Sequence, residues 1–306
     1  MATVTNKLAT TSKQTFSTFL TQDAVRNKIN QTLGEKDGQR FLSSILSAVS
    51  VNPALQMCEH SSILSAALLG ESLKLSPSPQ LGQYYLVPFK VKRKDERGKE
   101  YQVDVATFVL GYKGYIQLAI RSGYYKKLNV LAIKEGELIK YDPLTEELEV
   151  KLIEDEEQRE KAKTIGYYAM FEYVSGFRKA IYWSRTKMEL HADKYSKAFS
   201  LAAFRKLQEG KIPQDELWKY SSFWYKDFDG MAFKTMLRQL ISKWGIMSIE
   251  MQTAFEADQA GEYNPEEFVS NKPHLPEIVV EEPPISEPAI DVEEEDGAAI
   301  LSGSLN

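Results

Sequence analysis

The sequence predicts an α+β fold, a mainly antiparallel sheet packed with helices, on three observations. Apolar residues recur at the helical period towards both ends of the chain, a central stretch alternates with period two, and no internal repeat divides it into modules. The length of 306 residues allows a sizeable core without metal or disulfide staples. A composition of 43% hydrophobic and 26% charged residues argues against a coiled rod or a wholly disordered chain.

Taken in order, residues 1–22 are rich in Thr, Ser and Gln and predict a mobile arm with a short helix around Phe16 to Leu20; a flexible arm over residues 1–35 is expected. Phe41, Ile45 and Val49 recur every four residues, as do Ile63 and Ala67 beside Leu64 and Leu68. Two amphipathic helices split by Asn52-Pro53 follow. After Pro77-x-Pro79 the period changes. Tyr85 to Val91 reads as a strand, KRKDERGKE as an exposed basic hairpin, and Tyr101, Val103, Val105 and Thr107 as the returning strand. In GYKGYIQLAIRSGYY, Tyr115, Leu118, Ala119 and Ser122 share a helical stripe between Gly111 and Gly123. Alternating runs around Asp142-Pro143, then TIGYYAMFEYV and FRKAIYWS joined at Ser175-Gly176, predict a meander. From Arg185 the helical period returns, with one helix over MELHADKYSKAFSLAAFRKL and another carrying Met236, Leu237, Leu240, Ile241 and Trp244.

Charge is unevenly spread. The formal net charge is −5, yet residues 251–306 hold 14 acids against one Lys, leaving a body with 29 acids against 37 Lys and Arg. An acidic, Pro-rich tail over 251–306 is expected to be disordered. It either recruits basic partners, competes with nucleic acid for the body's surface, or merely solubilises. The single cysteine, Cys58, cannot form an intramolecular disulfide, which points to a reducing compartment. The amino end lacks an apolar leader and no apolar run approaches about 18 residues, so neither secretion nor a membrane partner is expected.

Two zones concentrate the basic residues: 90–127, with ten Lys and Arg against four acids, and 178–206, with eight against two. The first includes Lys113, Arg121, Lys126 and Lys127; the second includes Arg178, Lys179, Arg185, Lys194, Lys197, Arg205 and Lys206. Lys234 and Arg238, one turn apart, predict a stripe facing away from the core. Cations near Tyr112, Tyr115, Phe177, Tyr182 and Trp183 supply what a single-strand groove needs, charge for phosphates and rings for bases. An ordinary solvated face over a sheet core is the alternative. No phosphate-cradling G-x-x-x-x-G-K-[ST] motif occurs, His60, His191 and His274 are scattered, and no Ser-His-Asp set can be argued. No nucleotide, metal or other cofactor is therefore expected. The enzymatic rival is a metal-dependent nuclease using Asp142, Glu149 and Lys151, which match a loose Asp…Glu-x-Lys pattern.

The segment ATFVLGYKGYIQLAIRSGYYKKLNVLAIKEGE, with LGESLKLSPSPQLGQYYLVPF before it and WYKDFDGMAFKTMLRQLISKWGIMS after, closely resembles the RecT family of phage single-strand annealing proteins. The resemblance covers roughly residues 40 to 250. It implies a core similar to that of lambda Red beta and the eukaryotic annealing proteins, with residues 36–250 as a DNA-binding, annealing and oligomerisation domain. It further implies ATP-independent pairing of single-stranded DNA without sequence preference, through an annealed duplex intermediate and without covalent chemistry. Homo-oligomeric rings or filaments, phage recombination in the bacterial cytoplasm, and a phage exonuclease and host single-strand-binding protein as partners complete the expectation. Phe41, Ile45, Ile63 and Leu68 are candidates for subunit contact, with intrachain core the alternative. Within the groove, Tyr112 and Tyr115 either touch DNA or fix their helix on the sheet, and Arg121 either binds phosphate or pairs with a carboxylate.

Overall fold

A computed structural model describes residues 15–94 and 97–263. The expected disorder of the tail beyond 263, and the first residues of the expected arm, lie outside the described residues.

Four helices open the fold: α1 (Phe16–Thr21), α2 (Asp23–Leu33), α3 (Glu35–Ser50) and α4 (His60–Ser72). The Thr15 hydroxyl accepts from the Thr18 amide and starts α1. Asn52 and Pro53 break the chain between α3 and α4, as the sequence predicts. The arm expectation needs correction. Phe16, Phe19, Leu20, Val25 and Ile29 are buried, and the rings of Phe16 and Phe19 lie 5.6 and 5.3 Å from that of His60. Residues 16, 19 and 20 form one helical stripe that covers the start of α4, a signal masked by the surrounding Thr and Ser. The candidates for subunit contact are corrected by the same packing. Phe41, Ile45, Ile63 and Leu68 all lie inside this chain's own core, and α4 is apolar on nearly every side because neighbours surround it.

The strands form three antiparallel units instead of the single sheet expected. β1 (Tyr84–Lys94) and β2 (Glu100–Leu110) make a hairpin in register from Tyr84↔Leu110 to Lys94↔Glu100. After α5 (Tyr112–Arg121) comes β3 (Tyr125–Lys134), which pairs with β6 (Thr164–Tyr173), itself paired with β7 (Arg178–Ser184). A small hairpin, β4 (Leu138–Asp142) and β5 (Glu147–Val150), and the short helix α6 (Glu156–Lys161) are inserted between β3 and β6. Glu137 anchors that insertion. Its buried carboxylate accepts from the Lys134 and Ile153 amides and pairs with Arg159 at 2.6 Å. Burial opposes its ionisation, but the Arg159 hydrogen bond and the two amides outweigh it and hold its pKa below the usual range.

Helices α7 (Arg185–Tyr195), α8 (Leu201–Gln208), α9 (Phe223–Lys226), α10 (Phe228–Trp244) and α11 (Ile249–Tyr263) complete the chain. The sequence predicts one helix where α7 and α8 stand. The break follows from Asp193 accepting from the Leu201 amide and Tyr225 accepting from the Ser200 amide, which turn the chain at an aromatic cluster around Phe199. α10 packs on the β3–β6–β7 sheet and α5, while α11 lies on β2 and α5. The acidic tail therefore begins later than residue 251: Met251, Ala254, Ala257 and Asp258 are buried in the body.

Candidate nucleic-acid interface

The glycines and the arginine of the sequence that resembles a family motif are structural. Gly111 and Gly114 open α5 against the backbone of Gly82 and Gln83, so closely that a Cβ at either would overlap a carbonyl oxygen. Arg121 donates to the carbonyls of Leu73 and Lys74 at 2.6 and 3.0 Å, closing the carboxyl end of α4 where unpaired carbonyls collect. Its partner is backbone, not the carboxylate considered above. Tyr115 is fully buried, and its hydroxyl donates to Asp258 at 2.9 Å; Tyr112 is half-buried, edge-on to Phe233.

The stripe of Lys234 and Arg238 does not face away from the core. Lys234 is 4% exposed and reaches the fully buried Asp258 at 2.8 Å, while Arg238 approaches the same carboxylate at 3.8 Å. Asp258 also accepts from the Leu110 amide at 2.9 Å, so one side chain ties α11 to β2, α5 and α10. A buried ammonium needs such a partner, because desolvation would otherwise expel its proton or unfold its surroundings. Arg185 is likewise committed inside: its guanidinium donates to Tyr167 at 2.6 Å and Asp229 at 2.9 Å and lies over the Phe228 ring at 3.8 Å. Burial, then the hydrogen bond to Asp229, pushes the Tyr167 hydroxyl far above its ordinary pKa. Lys179 is held between Glu146, at 2.6 Å, and the face of Trp244, at 3.7 Å.

The remaining candidates are exposed. Lys126 and Lys127 flank Glu172 at 2.8 and 3.5 Å, so two cations share one carboxylate, while Arg178, opposite Glu172 in the β6–β7 register, directs its guanidinium to the Tyr168 hydroxyl at 3.4 Å. Beside them an open depression of about 460 Å³ is lined by Ile120, Tyr125, Lys126, Lys127 and Asn129. Lys113, Lys194, Lys197, Arg205 and Lys206 are also exposed.

The densest arrangement was only half legible in the sequence. The Ser184 hydroxyl accepts from the Lys187 amide, starting α7 directly from β7. Trp183 thereby meets the first turns of α7, where Lys187, His191 and Tyr195 follow at intervals of four and share a face. The ring centroids of Trp183 and His191 lie 5.1 Å apart and those of His191 and Tyr195 4.6 Å apart. Lys187 sits over Trp183 at 4.4 Å and Lys194 over Tyr195 at 5.2 Å. Burial, followed by the charges of Arg238, Lys187, Lys194 and Lys243, pushes the His191 pKa down, which favours its uncharged form in a positive field. Burial and Lys243 lower that of Lys187 as well. The sequence names His191 only among scattered histidines and gives no role to Lys187, Tyr195 or Lys243; the four-residue spacing along α7 is the signal for Lys187, His191 and Tyr195.

The nuclease candidates are placed on the inserted hairpin. Asp142 accepts from the Leu144 amide, as a turn-forming aspartate does, and pairs in register with Glu147, two rungs from Glu149. The Lys151 amide donates to the Glu137 carbonyl at the base of the hairpin. Among the described residues no group of three or more His, Cys, Asp or Glu is placed to hold a metal ion, and no helix is long and apolar enough to cross a membrane.

A family model described as the RecT family matches residues 39–271. The chain belongs to the RecT family. It is 37% identical over 271 residues to "Uncharacterized protein YqaK" of Bacillus subtilis (strain 168), covering 88% of this chain and 80% of that protein. It is 26% identical over 242 residues to "Protein RecT" of Escherichia coli (strain K12), covering 79% of each. RecT membership carries single-stranded DNA binding and annealing in recombination, together with oligomerisation. The RecT match runs through α11, in keeping with the burial of that helix in the body.

Proposed function

We propose that this RecT-family chain pairs complementary single strands without sequence preference, nucleotide hydrolysis or covalent chemistry. The observation that carries the reading is the row Trp183–His191–Tyr195 bordered by Lys187, Lys194, Arg238 and Lys243. Rings offer a stacking surface that every base can use, and the ammonium groups neutralise phosphates irrespective of sequence. Holding the first strand by its backbone leaves base edges outward, so fidelity comes from base pairing. Neutralised phosphates lower the repulsion that a second strand meets, and the annealed duplex is bound more tightly than either strand alone. Lys113, Lys126, Lys127, Arg178, Lys197, Arg205 and Lys206 extend the track as exposed phosphate contacts, whereas Tyr115, Arg121, Lys179, Arg185 and Lys234 serve the fold. Neighbouring subunits lengthen the track into a filament. The setting is phage recombination in the cytoplasm of a bacterial host, with an exonuclease supplying the strand and host single-strand-binding protein covering it.

The test mixes complementary oligonucleotides carrying donor and acceptor dyes with the protein in EDTA, without nucleotide, and follows pairing and strand length together. Fast pairing of intact strands is expected. Strand shortening on adding a divalent metal would instead make Asp142 and Glu149 catalytic, and binding without faster pairing would leave a coating protein.

A further inference from the structure

Between α7 and α10 lies a small cleft whose walls include His191, Ser196, Trp224, Lys234, Arg238 and Gln239. Trp224 is 4% exposed, and its buried indole N–H has no hydrogen-bond acceptor among the described residues. An indole nitrogen can only donate, so this group calls for an acceptor from outside the set of side chains around it. The other walls add the Arg238 guanidinium, which can only donate, and the Gln239 amide and Ser196 hydroxyl, which can donate or accept, while the Lys234 ammonium is bonded to Asp258. Lys187, Lys194 and Lys243 add positive potential from both helices, and none of the three forms an ion pair with a described carboxylate.

We propose that this cleft is a binding site for a phosphate group, held by the Trp224 indole N–H together with Arg238 and Gln239. Its donors come from α9 and α10, with α7 on the third side. His191 and Tyr195 belong both to the cleft wall and to the row of rings. A nucleotide whose phosphate occupies the cleft therefore has its base beside that row. The inference rests on the annealing reading for its source of phosphate and deepens it, because it fixes where along α7 the backbone of the strand is gripped.

Full-length protein labelled with 5-fluorotryptophan tests this, since the chain has four tryptophans and hence four fluorine resonances, with Trp224→Phe identifying the one of interest. Inorganic phosphate, titrated at constant ionic strength against chloride, is expected to shift the Trp224 resonance saturably and to leave Trp218 in place. Arg238→Gln is expected to weaken that response about tenfold, with the spread of the other resonances reporting that the variant is folded. An oligonucleotide with hydroxyl ends that produces the same shift assigns the cleft to a backbone phosphate. A shift produced only by the 5′-phosphorylated oligonucleotide assigns it to a strand end. A Trp224 resonance that ignores phosphate and both oligonucleotides, while those oligonucleotides bind and anneal, overturns the site and leaves the annealing reading intact. Response to phosphate without any oligonucleotide binding does the reverse.

Discussion

Replacing Asp258 by alanine probes the contact that most reorganises the expected picture. The side chain is fully buried and meets the 4% exposed Lys234 at 2.8 Å, Arg238 at 3.8 Å, the Tyr115 hydroxyl at 2.9 Å and the Leu110 amide at 2.9 Å. Removing one partner of a buried ion pair costs about 3–5 kcal/mol, because the other charge stays in a poorly solvated place. The amide and hydroxyl that lose their acceptor add to this, each by about 1 kcal/mol. The sum is not additive, since all four groups share one carboxylate, so a loss of roughly 3–5 kcal/mol is the expected total. For a body of this size that corresponds to a fall in Tm of roughly 6–20 °C. Asp258→Asn keeps the volume and one acceptor oxygen but loses the charge, and is expected to lose about half as much. Urea unfolding followed by tryptophan fluorescence measures both variants, and Lys234→Met combined with Asp258→Asn measures the coupling. An alanine variant within about 1 kcal/mol of the parent would refute the idea that α11 is fastened by a desolvated ion pair.

Further outcomes follow from the same contacts. A chain ending at residue 250 removes Asp258 and is expected to unfold earlier than one ending at 263, a comparison that thermal melts make directly. Lys187→Ala and Lys194→Ala should weaken single-strand binding evenly across sequences, each flattening the slope of log affinity against log salt by about 0.7, with melting unchanged. Arg185→Ala should lower stability by about 1–3 kcal/mol through its partly buried bonds to Tyr167 and Asp229, with affinity retained by the folded fraction. Glu137 has its pKa lowered on folding, so its carboxylate stabilises the fold above the usual carboxylate range and that contribution fades as pH falls through the folded-state value. Urea midpoints of parent and Glu137→Gln should accordingly differ at neutral pH and converge as the pH falls below the ordinary glutamate range.

Much of the fold was legible because it is local. The change of period after Pro79 locates β1 and β2, Ser175-Gly176 marks the turn between β6 and β7, and Gly123, with its positive φ of 76°, stops α5 where the sequence places a stop. The candidate site was legible in composition but not in membership. Lys194 and Lys234 look alike as letters in basic helices, yet one is exposed and the other sealed. The apolar face of α10 could be read from Leu237, Leu240 and Ile241, but a second covered face could not, because the helix that covers it carries its key residue 24 positions away.

By itself the sequence determined the α+β class, the order of most elements, the split between a basic body and an acidic end, and the resemblance borne by the segment around Gly111 to Gly123. Those features depend on neighbours within a turn or a strand, where periodicity and backbone stereochemistry act directly. Only the tertiary structure decided that residues 16–33 and α11 belong to the body, that Arg121 closes a helix, and that Trp183, His191 and Tyr195 stand in one row. Each of these rests on groups far apart in sequence or on the join between two elements. Whether a cation is spent on a buried carboxylate or left for a phosphate is settled by desolvation, which acts in three dimensions and leaves no periodic mark along the chain.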